Sequence, residues 1–388
     1  MSENGKVGDG INSMVPEEKM TESARKLRET YAVTPGAPFY RKEFGYYCLD
    51  EWYEQGLDRD ADLAEVFNYD EPGSLRIAGL GGSSPDFRPE FEEKILEDRG
   101  EHELVRDKAG RSVLYFKGRR SGFMPEYLDH PVKDMKSWEE NCKWRMDPDN
   151  PERWEFTGYH MNNAKAAAAK GTMISQLSVG GFMYLRSLMG PEDLLYKFYD
   201  EPELIRDCME QWFKLADAVT ARHQQYVTFD EFFIDEDVCY NHGPLVSPDM
   251  LKEFIFPYYQ QLVANIKSRQ IDKSRHLYVQ LGSDGNIPTV IDHYREAMGV
   301  DVVSPCEVAS GCDVVEIGKK YPDMVISGGI DKRELAKGKE AIDRMLERIL
   351  PVMRERGGYI PTCDHGVPAE VSLENYMHYR KRCLEIGG

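Results

Sequence analysis

Short apolar segments alternate with amphipathic, helix-like segments over the last two thirds of the chain. The apolar segments are rich in β-branched and aromatic residues and break into glycine-containing polar turns, which is typical of buried strands. We predict strands at 173–177, 232–234, 277–281, 301–304, 324–327 and 359–361. Helix-like segments between them indicate βα units around a parallel sheet. In a (β/α)₈ barrel the carboxyl ends of such strands form one rim, and that rim carries the chemistry.

Two helices have clear start signals in the sequence. Pro202 follows Asp200 and Glu201, and a proline with acids in the first turn suits a helix that continues to about residue 226. Ser247, followed by Pro248, predicts the N-cap of a second long helix through about residue 266.

The first 170 residues look different from the rest of the chain. Residues 1–20 are polar and rich in glycine, which predicts a disordered tail. Residues 21–170 are expected to form an N-terminal extension and cap, and residues 171–388 the main part of the barrel. Within the extension, segments 104–106 and 112–117 flank a turn containing Gly110, which predicts a hairpin in a β-rich insert.

Composition excludes several classes of function. The 49 Lys and Arg against 68 Asp and Glu give a net charge of −19, which argues against binding nucleic acid or an anionic membrane. No run approaches the roughly 18 apolar residues of a transmembrane helix, and no signal peptide is evident. The eight cysteines form no C-x-x-C pair and are expected to be reduced and buried. We therefore expect a cytoplasmic protein.

Three adjacent carboxylates, Asp235, Glu236 and Asp237, end one apolar strand. Such charges repel one another, so at least one should find a cation or a donor, or have a raised pKa. Helix capping and solvation explain them equally well. Strand alternation places Asp235 and Asp237 on the same face, and we favour Asp237 as the functional residue because it lies nearer the following loop.

A second set of candidate residues ends three other strands. Asp284, Glu307 and His365 are ligand types that suit Zn²⁺ with an open position for substrate, and Cys363 is a further candidate ligand. His365 could instead be a general acid or base. Capping of the following helices explains Asp284 and Asp364 without any metal.

Several motifs resemble the uroporphyrinogen decarboxylase superfamily. They are Gly-Pro-Leu-Val-Ser-Pro at 243–248, Phe-Ile-Phe-Pro-Tyr-Tyr at 254–259, Ser-Asp-Gly-Asn at 283–286, Gly-Gly-Ile-Asp-Lys at 328–332 and Asp-His-Gly-Val-Pro at 364–368. The resemblance is strong over 172–388 and weaker over 35–170. It implies a (β/α)₈ barrel with a pocket at the strand carboxyl ends. It also implies either a cofactor-free porphyrinogen decarboxylase or a zinc-dependent methyltransferase that works with a corrinoid protein or a thiol.

Two departures from the family decide between these activities. Decarboxylases carry a Pro-Val-Trp-x-Met-Arg-Gln-Ala-Gly-Arg stretch that holds substrate carboxylates, and here the nearest arginines, in 118–127, have another context. Thiol methyltransferases carry His-x-Cys-Gly where this chain has Gly282 and Asp284. A harder ligand set suits a substrate bound through oxygen.

The resemblance therefore implies a corrinoid-dependent methyltransferase that demethylates an O-methyl donor, such as a methoxylated aromatic, or an N-methyl donor. Zn²⁺ and a corrinoid on a separate protein are the expected cofactors. Asp237 and His365 are the predicted catalytic residues. The predicted substrate-binding residues are Met124, Glu236, Tyr240 and His242. A metal-free decarboxylase or lyase using His365 and Asp237, and a non-catalytic binding barrel, are the alternatives.

Overall fold

The computed structural model describes residues 15–120 and 123–387. The helices are α1 (Glu22–Tyr31), α2 (Leu49–Glu54), α3 (Leu63–Val66), α4 (Met135–Asn141), α5 (Thr157–Ala168), α6 (Gly181–Met189), α7 (Pro191–Asp200), α8 (Pro202–His223), α9 (Pro248–Phe254), α10 (Phe256–Arg269), α11 (Ile291–Met298), α12 (Val314–Lys320), α13 (Lys332–Lys337), α14 (Lys339–Arg356) and α15 (Leu373–Gly387). The strands are β1 (Ser74–Ile77), β2 (Lys94–Arg99), β3 (His102–Arg106), β4 (Ser112–Phe116), β5 (Glu126–Asp129), β6 (Met173–Val179), β7 (Glu231–Asp235), β8 (Cys239–Tyr240), β9 (Gly243–Pro244), β10 (Tyr278–Gly282), β11 (Val300–Ser304), β12 (Val325–Ser327) and β13 (Tyr359–Ile360). Most of the predicted tail, residues 1–14, lies outside the described residues, and Glu17–Lys19 form a short 3₁₀ turn.

The main sheet is parallel and has seven strands in the order β1-β6-β7-β10-β11-β12-β13. Its strands from β6 onward are buried along most of their length, which explains their nearly continuous apolar sequences. The strands predicted after residue 172 are all present. The boundary predicted at residue 170 does not coincide with the edge of the sheet, because β1 from the N-terminal part pairs with β6.

An extended segment, residues 39–47, makes backbone contacts near both edge strands of the main sheet. On one side, the amide of Asp70 donates to the carbonyl of Arg41 over 2.9 Å. On the other, the amide of Tyr47 donates to the carbonyl of Val367 over 2.9 Å, and the two residues Tyr46 and Val367 form a parallel bridge. The 39–47 segment therefore contacts the chain just before β1 and the loop that follows β13.

The helix predicted to follow Ser247 is two helices. Ser247 caps α9 by accepting the amide of Met250 over 3.2 Å, as predicted. The chain then breaks at Ile255 between α9 and α10. Pro257 is the physical reason, since it has no amide hydrogen to donate to the carbonyl of Glu253 four residues before.

The predicted hairpin is present as β3 and β4, but it belongs to a larger antiparallel sheet with the order β2-β3-β4-β5. The sequence pattern did not predict β2 and β5. Both strands are exposed along their whole length, so neither carries the alternation of apolar and polar residues that marks a half-buried strand.

Helix α1 packs against the end of the main sheet that lies opposite the carboxyl ends of its strands. Leu27 and Tyr31 of this helix pack into an apolar cluster that includes residues 302, 325 and 360 of the last strands. Beside it, the buried carboxylate of Asp230 pairs with Arg28 at 3.1 Å and with Arg275. Among the described residues, no helix is long and apolar enough to cross a membrane.

Candidate active site

A cleft of about 900 Å³ lies at the carboxyl ends of the strands of the main sheet. The ends of β7 and β10 contribute Asp235, Asp237 and Asp284, and the loop after β13 contributes His365. The antiparallel sheet reaches over the same space with Met124 and Tyr127, so it forms part of the wall of the cleft. The strand-end rim predicted from the sequence is therefore lined by the predicted catalytic residues.

His365 and Asp284 form the central pair of this cleft. Nε2 of His365 lies 3.4 Å from Oδ2 of Asp284, and the aromatic rings of Phe44 and Tyr47 lie 5.1 and 5.8 Å from the imidazole. The hydrogen bond to Asp284 is the largest effect on the imidazole, and it raises the pKa of His365 above its usual value although burial opposes it. The pair therefore favours the protonated form of the imidazole.

The loop that carries His365 is held by its neighbour, Asp364. This buried carboxylate accepts the amide of Val308 over 3.0 Å and the amide of Lys332 over 3.1 Å. Its own amide donates to the carbonyl of Ile330 over 2.9 Å. Because Asp364 is tied to the segment after β11 and to the connection between β12 and α13, the fold holds the backbone next to His365 in place.

Asp237 has a backbone φ of +51°, in the left-handed region, and lies in the turn between β7 and β8. Its carboxylate lies 2.5 Å from Arg186 of α6 and accepts the amide of Asp284 over 3.2 Å. The functional candidate Asp237 is thus an ion-paired group that links two walls of the cleft.

Asp235 lies in the same cleft as Asp237, as strand alternation predicted. Burial, followed by the charges of Asp237 and Asp284, raises the pKa of Asp235 to about 6. The repulsion expected among the adjacent acids therefore contributes to the raised pKa of Asp235, whereas the charge of Asp237 is balanced by Arg186.

Glu236 points away from the cleft. Its carboxylate is fully buried and accepts the hydroxyl of Tyr259 over 2.6 Å and that of Tyr294 over 2.7 Å. Burial raises the pKa of Glu236 to about 7. This residue, predicted to bind substrate, ties the end of β7 to α10 and α11 from behind the site.

Two further predicted substrate-binding residues, Tyr240 and His242, lie on the β8–β9 hairpin. Their rings meet edge to face, with centroids 5.8 Å apart. Neither lines the cleft, whereas Met124, predicted for the same role, does line it and is 83% exposed. The structure thus brings Met124, Asp237, Asp284 and His365 together and leaves Glu236 and the hairpin residues outside.

The predicted zinc ligands do not form one donor set. Glu307 lies 3.0 Å from Nζ of Lys332 and also accepts the amide of Gly285 over 3.0 Å, so both of its oxygens have protein partners. The thiol of Cys363 is buried, and burial raises the pKa of Cys363. Within residues 15–120 and 123–387, no three His, Cys, Asp or Glu side chains are arranged to hold a metal ion. Only Asp284 and His365 of the predicted set face each other.

Several basic side chains in the cleft were not predicted as site residues. Lys42, Arg76, Arg186 and His130 all line it. A signal was available for Arg186, which interrupts an otherwise apolar helical run. A charged residue inside a buried element usually has a partner or a ligand.

Comparisons with known proteins agree with this architecture. The family model of uroporphyrinogen decarboxylase matches residues 122–385. A uroporphyrinogen decarboxylase of Hydrogenobaculum sp. (strain Y04AAS1) is 24% identical over 135 residues, which is 35% of this chain and 36% of that relative. The aligned part thus spans about a third of the relative's length.

A solved structure described as a methyltransferase from Methanosarcina mazei superposes with a TM-score of 0.55 and 14% identity. The superposition covers 94% of this chain and 99% of that one, so the two proteins share a fold. The family model matches most of the length of this chain, and the chain therefore belongs to the uroporphyrinogen decarboxylase family.

Proposed function

We propose that this protein is a methyltransferase that removes a methyl group from an O-methyl or N-methyl donor, with methoxylated aromatics as the first candidates. The observation that carries the proposal is the Asp284–His365 pair, which faces a cleft of about 900 Å³ and lies against the rings of Phe44 and Tyr47. A cleft of this size suits a drug-sized ligand. Its aromatic side chains suit an aromatic one.

The proposed chemistry needs a proton at the leaving atom. When an O–CH₃ bond breaks and the methyl group is transferred, the oxygen keeps the bonding electrons and becomes an alkoxide or phenolate. His365, whose pKa is raised by Asp284, supplies a proton to that oxygen and returns to neutral imidazole. A corrinoid carried by a partner protein would supply the acceptor, a reduced cobalt that binds the methyl group.

Substrate orientation is the proposed role of Asp237 with Arg186. Their ion pair at 2.5 Å spans the end of β7 and α6, so it presents a fixed donor and acceptor pattern to the cleft. Met124 on the opposite wall contributes an apolar contact. The pair positions the ligand, and the proton transfer remains with His365.

The expected zinc stays a prediction, and no step above depends on it. Glu307 is neutralised by Lys332 and Cys363 is buried, so a preformed three-ligand site is not supported by the described residues. Elemental analysis of protein purified without chelator tests this directly. One equivalent of Zn²⁺ that is lost in His365→Gln but kept in His378→Gln would establish a metal site and replace the acid role of His365.

A decarboxylase is the second candidate, and a specific observation favours it. Lys42 and Arg76 line the cleft, and neither makes a hydrogen bond or ion pair with the described residues. Cations in a cleft that lack a hydrogen-bonded acceptor suit a carboxylated substrate. In this reading His365 protonates the carbanion carbon after carbon dioxide leaves.

One experiment separates the two candidates. The protein is incubated with reduced corrinoid protein and a panel of methoxylated aromatics and methylamines, and methyl-cobalt formation is followed spectroscopically. His365→Gln should lower turnover by about 100-fold or more with little change in substrate affinity, as expected for a general acid. His378→Gln is the matched control, because His378 forms a similar pair with Asp343 at 2.8 Å far from the cleft. Release of carbon dioxide from a carboxylated substrate, without methyl transfer from any donor, would favour the decarboxylase.

For the fold, we propose that the 39–47 segment closes the seven-stranded sheet into the predicted (β/α)₈ barrel. Its backbone hydrogen bonds to Asp70 and Val367, on opposite flanks, support this closure. Hydrogen exchange tests it. The amides of Tyr47 and Val367 should be protected like those of β12, and rapid exchange at both would contradict closure.

A further inference from the structure

The amide of Cys363 lies just after β13, on the side of the chain that faces away from β12. On the side of β12, the chain bonds to Ile330 through the carbonyl of Thr362 and the amide of Asp364. Because successive amides of an extended chain point in opposite directions, the amide of Cys363 faces away from that neighbour. Cys363 is fully buried, so this amide needs an acceptor within the protein. Glu43 supplies it, since Oε1 of its carboxylate accepts the amide over 2.8 Å.

The same oxygen of Glu43 accepts a second backbone amide. This amide belongs to Phe44, and its nitrogen lies 2.8 Å from Oε1. The other oxygen, Oε2, accepts the hydroxyl of Tyr376 over 2.5 Å, which fixes the orientation of the carboxylate. One side chain of the 39–47 segment therefore joins the backbone at Phe44 to the backbone at Cys363, 320 residues further along the chain.

Both stretches of backbone lead directly to the imidazole of His365, which follows Cys363 by two residues. Phe44 and Tyr47 place their rings 5.1 and 5.8 Å from the imidazole, although their side chains are 48% and 45% exposed. A Cβ on Gly366 would lie 2.6 Å from the ring of Tyr47, so this ring packs against the backbone next to His365. A half-exposed ring has few neighbours to hold it, and its position therefore depends on the backbone that carries it.

We propose that Glu43 is a positioning residue for His365. By accepting the amides of Phe44 and Cys363 on one oxygen, it keeps the aromatic rings and the imidazole in a fixed arrangement opposite Asp284. The consequence for turnover rests on the proposed function, in which His365 must reach the leaving oxygen. Proton transfer needs hydrogen-bond distance, and a displacement of about 1 Å can cost about 100-fold in rate. The property that matters is an acceptor oxygen at this place, and the negative charge is not required.

Three variants separate this role from a general loss of stability. Glu43→Met is close in shape to the native side chain and accepts no hydrogen bond at Oε1. Glu43→Gln keeps an acceptor oxygen for both amides, and its NH₂ group can donate to the hydroxyl of Tyr376. Asp70→Leu is the matched control, because Asp70 accepts the amide of Arg41 over 2.6 Å and its guanidinium over 2.7 Å. This control loosens the same 39–47 segment without removing either amide contact of Glu43.

A histidine signal in the NMR spectrum reports the arrangement without any substrate or partner protein. Protein labelled with ¹³C at Cε1 of its nine histidines gives one signal for each, and the signal of His365 is the one that is missing from His365→Gln. The ring currents of Phe44 and Tyr47 shift this signal according to their distance and orientation. We expect Glu43→Met to move it by more than its line width, and Glu43→Gln and Asp70→Leu to leave it within that width.

Turnover provides the second readout. With a donor that supports methyl transfer, Glu43→Met should lower kcat by about tenfold or more and change KM by less than about threefold, because the proton transfer is misaligned while the ligand contacts remain. Glu43→Gln and Asp70→Leu should keep kcat within about threefold of the native value, at a temperature where all variants are folded. Glu43→Ala replaces Glu43→Met in both measurements if the latter does not fold.

Four results would overturn the proposal. An unmoved His365 signal in Glu43→Met would show that the amides keep their places without the carboxylate. An equal displacement in Asp70→Leu would show a general loosening of the segment. A displaced signal in Glu43→Gln would show that the charge, and not the acceptor oxygen, holds the site. A native kcat in Glu43→Met would show that the arrangement does not limit turnover. If the signals behave as expected and no donor supports methyl transfer, the proposed function fails and the positioning role of Glu43 stands.

Discussion

Gly180 lies directly behind the acids of the active site, and replacing it with alanine should damage both stability and the site. A Cβ at this position would lie 2.7 Å from Cα of Glu236 and 2.8 Å from the carbonyl oxygen of Asp235, and it would overlap the Glu236 carboxylate. The first two contacts are with backbone atoms, so rotation of a side chain cannot relieve them. The φ of Gly180 is −71°, an ordinary value, and the effect is therefore purely steric.

The expected loss of stability follows from what must move. Overpacking of a close contact costs about 1–3 kcal/mol. Displacing the Glu236 carboxylate also breaks a hydrogen bond to Tyr259 or Tyr294, which costs about 1–2 kcal/mol when the group stays buried. We therefore expect Gly180→Ala to lower the free energy of unfolding by about 2–5 kcal/mol.

Urea denaturation provides the measurement, with the free energy taken from the midpoint at unchanged m-value. Gly158→Ala is the matched control, because a Cβ at Gly158, within helix α5, meets nothing within 4 Å. That variant should be up to about 1 kcal/mol more stable than the native protein, since alanine favours helix. A loss below about 1 kcal/mol in Gly180→Ala would refute the idea that close packing behind Glu236 fixes the site.

Three further predictions concern titration and charge. Asp284→Asn should move the alkaline limb of the pH–turnover profile to lower pH. Asp284 raises the pKa of His365, and a general acid is lost once the pH exceeds its pKa. An unchanged alkaline limb would show that the Asp284–His365 pair does not control turnover. In native protein the free energy of unfolding should fall as pH rises from about 4.5 to about 7, since burial raises the pKa of Glu236 to about 7 and the folded state then binds more protons than the unfolded state. Glu236→Gln should flatten that slope in urea titrations across the range, and an unchanged slope would assign it to another group. Lys42→Met should leave the free energy of unfolding unchanged or raise it, because burial disfavours the ammonium; a loss above about 1 kcal/mol in urea denaturation would contradict this.

Much of the main sheet could be predicted from sequence because its strands are buried on both faces. The strands at 231–235, 278–282 and 300–304 are short apolar runs that end in polar turns, and that pattern survives without any tertiary information. β1 and β2 could not be found in the same way. β1 lines a cavity and contains Arg76, and β2 is fully exposed, so neither shows the apolar pattern on which strand prediction depends.

For the site, the sequence by itself determined that Asp237, Asp284 and His365 meet, since all three follow strands of one parallel sheet and such strand ends share a rim. Alternation also placed Asp235 with Asp237. Only the tertiary structure decided their partners. Arg186 reaches Asp237 from a helix 51 residues earlier in the chain, and Lys332 neutralises Glu307 across two loops. The position of a residue at a strand end follows from its own strand. The charged group that it contacts is set by packing between elements distant in the chain.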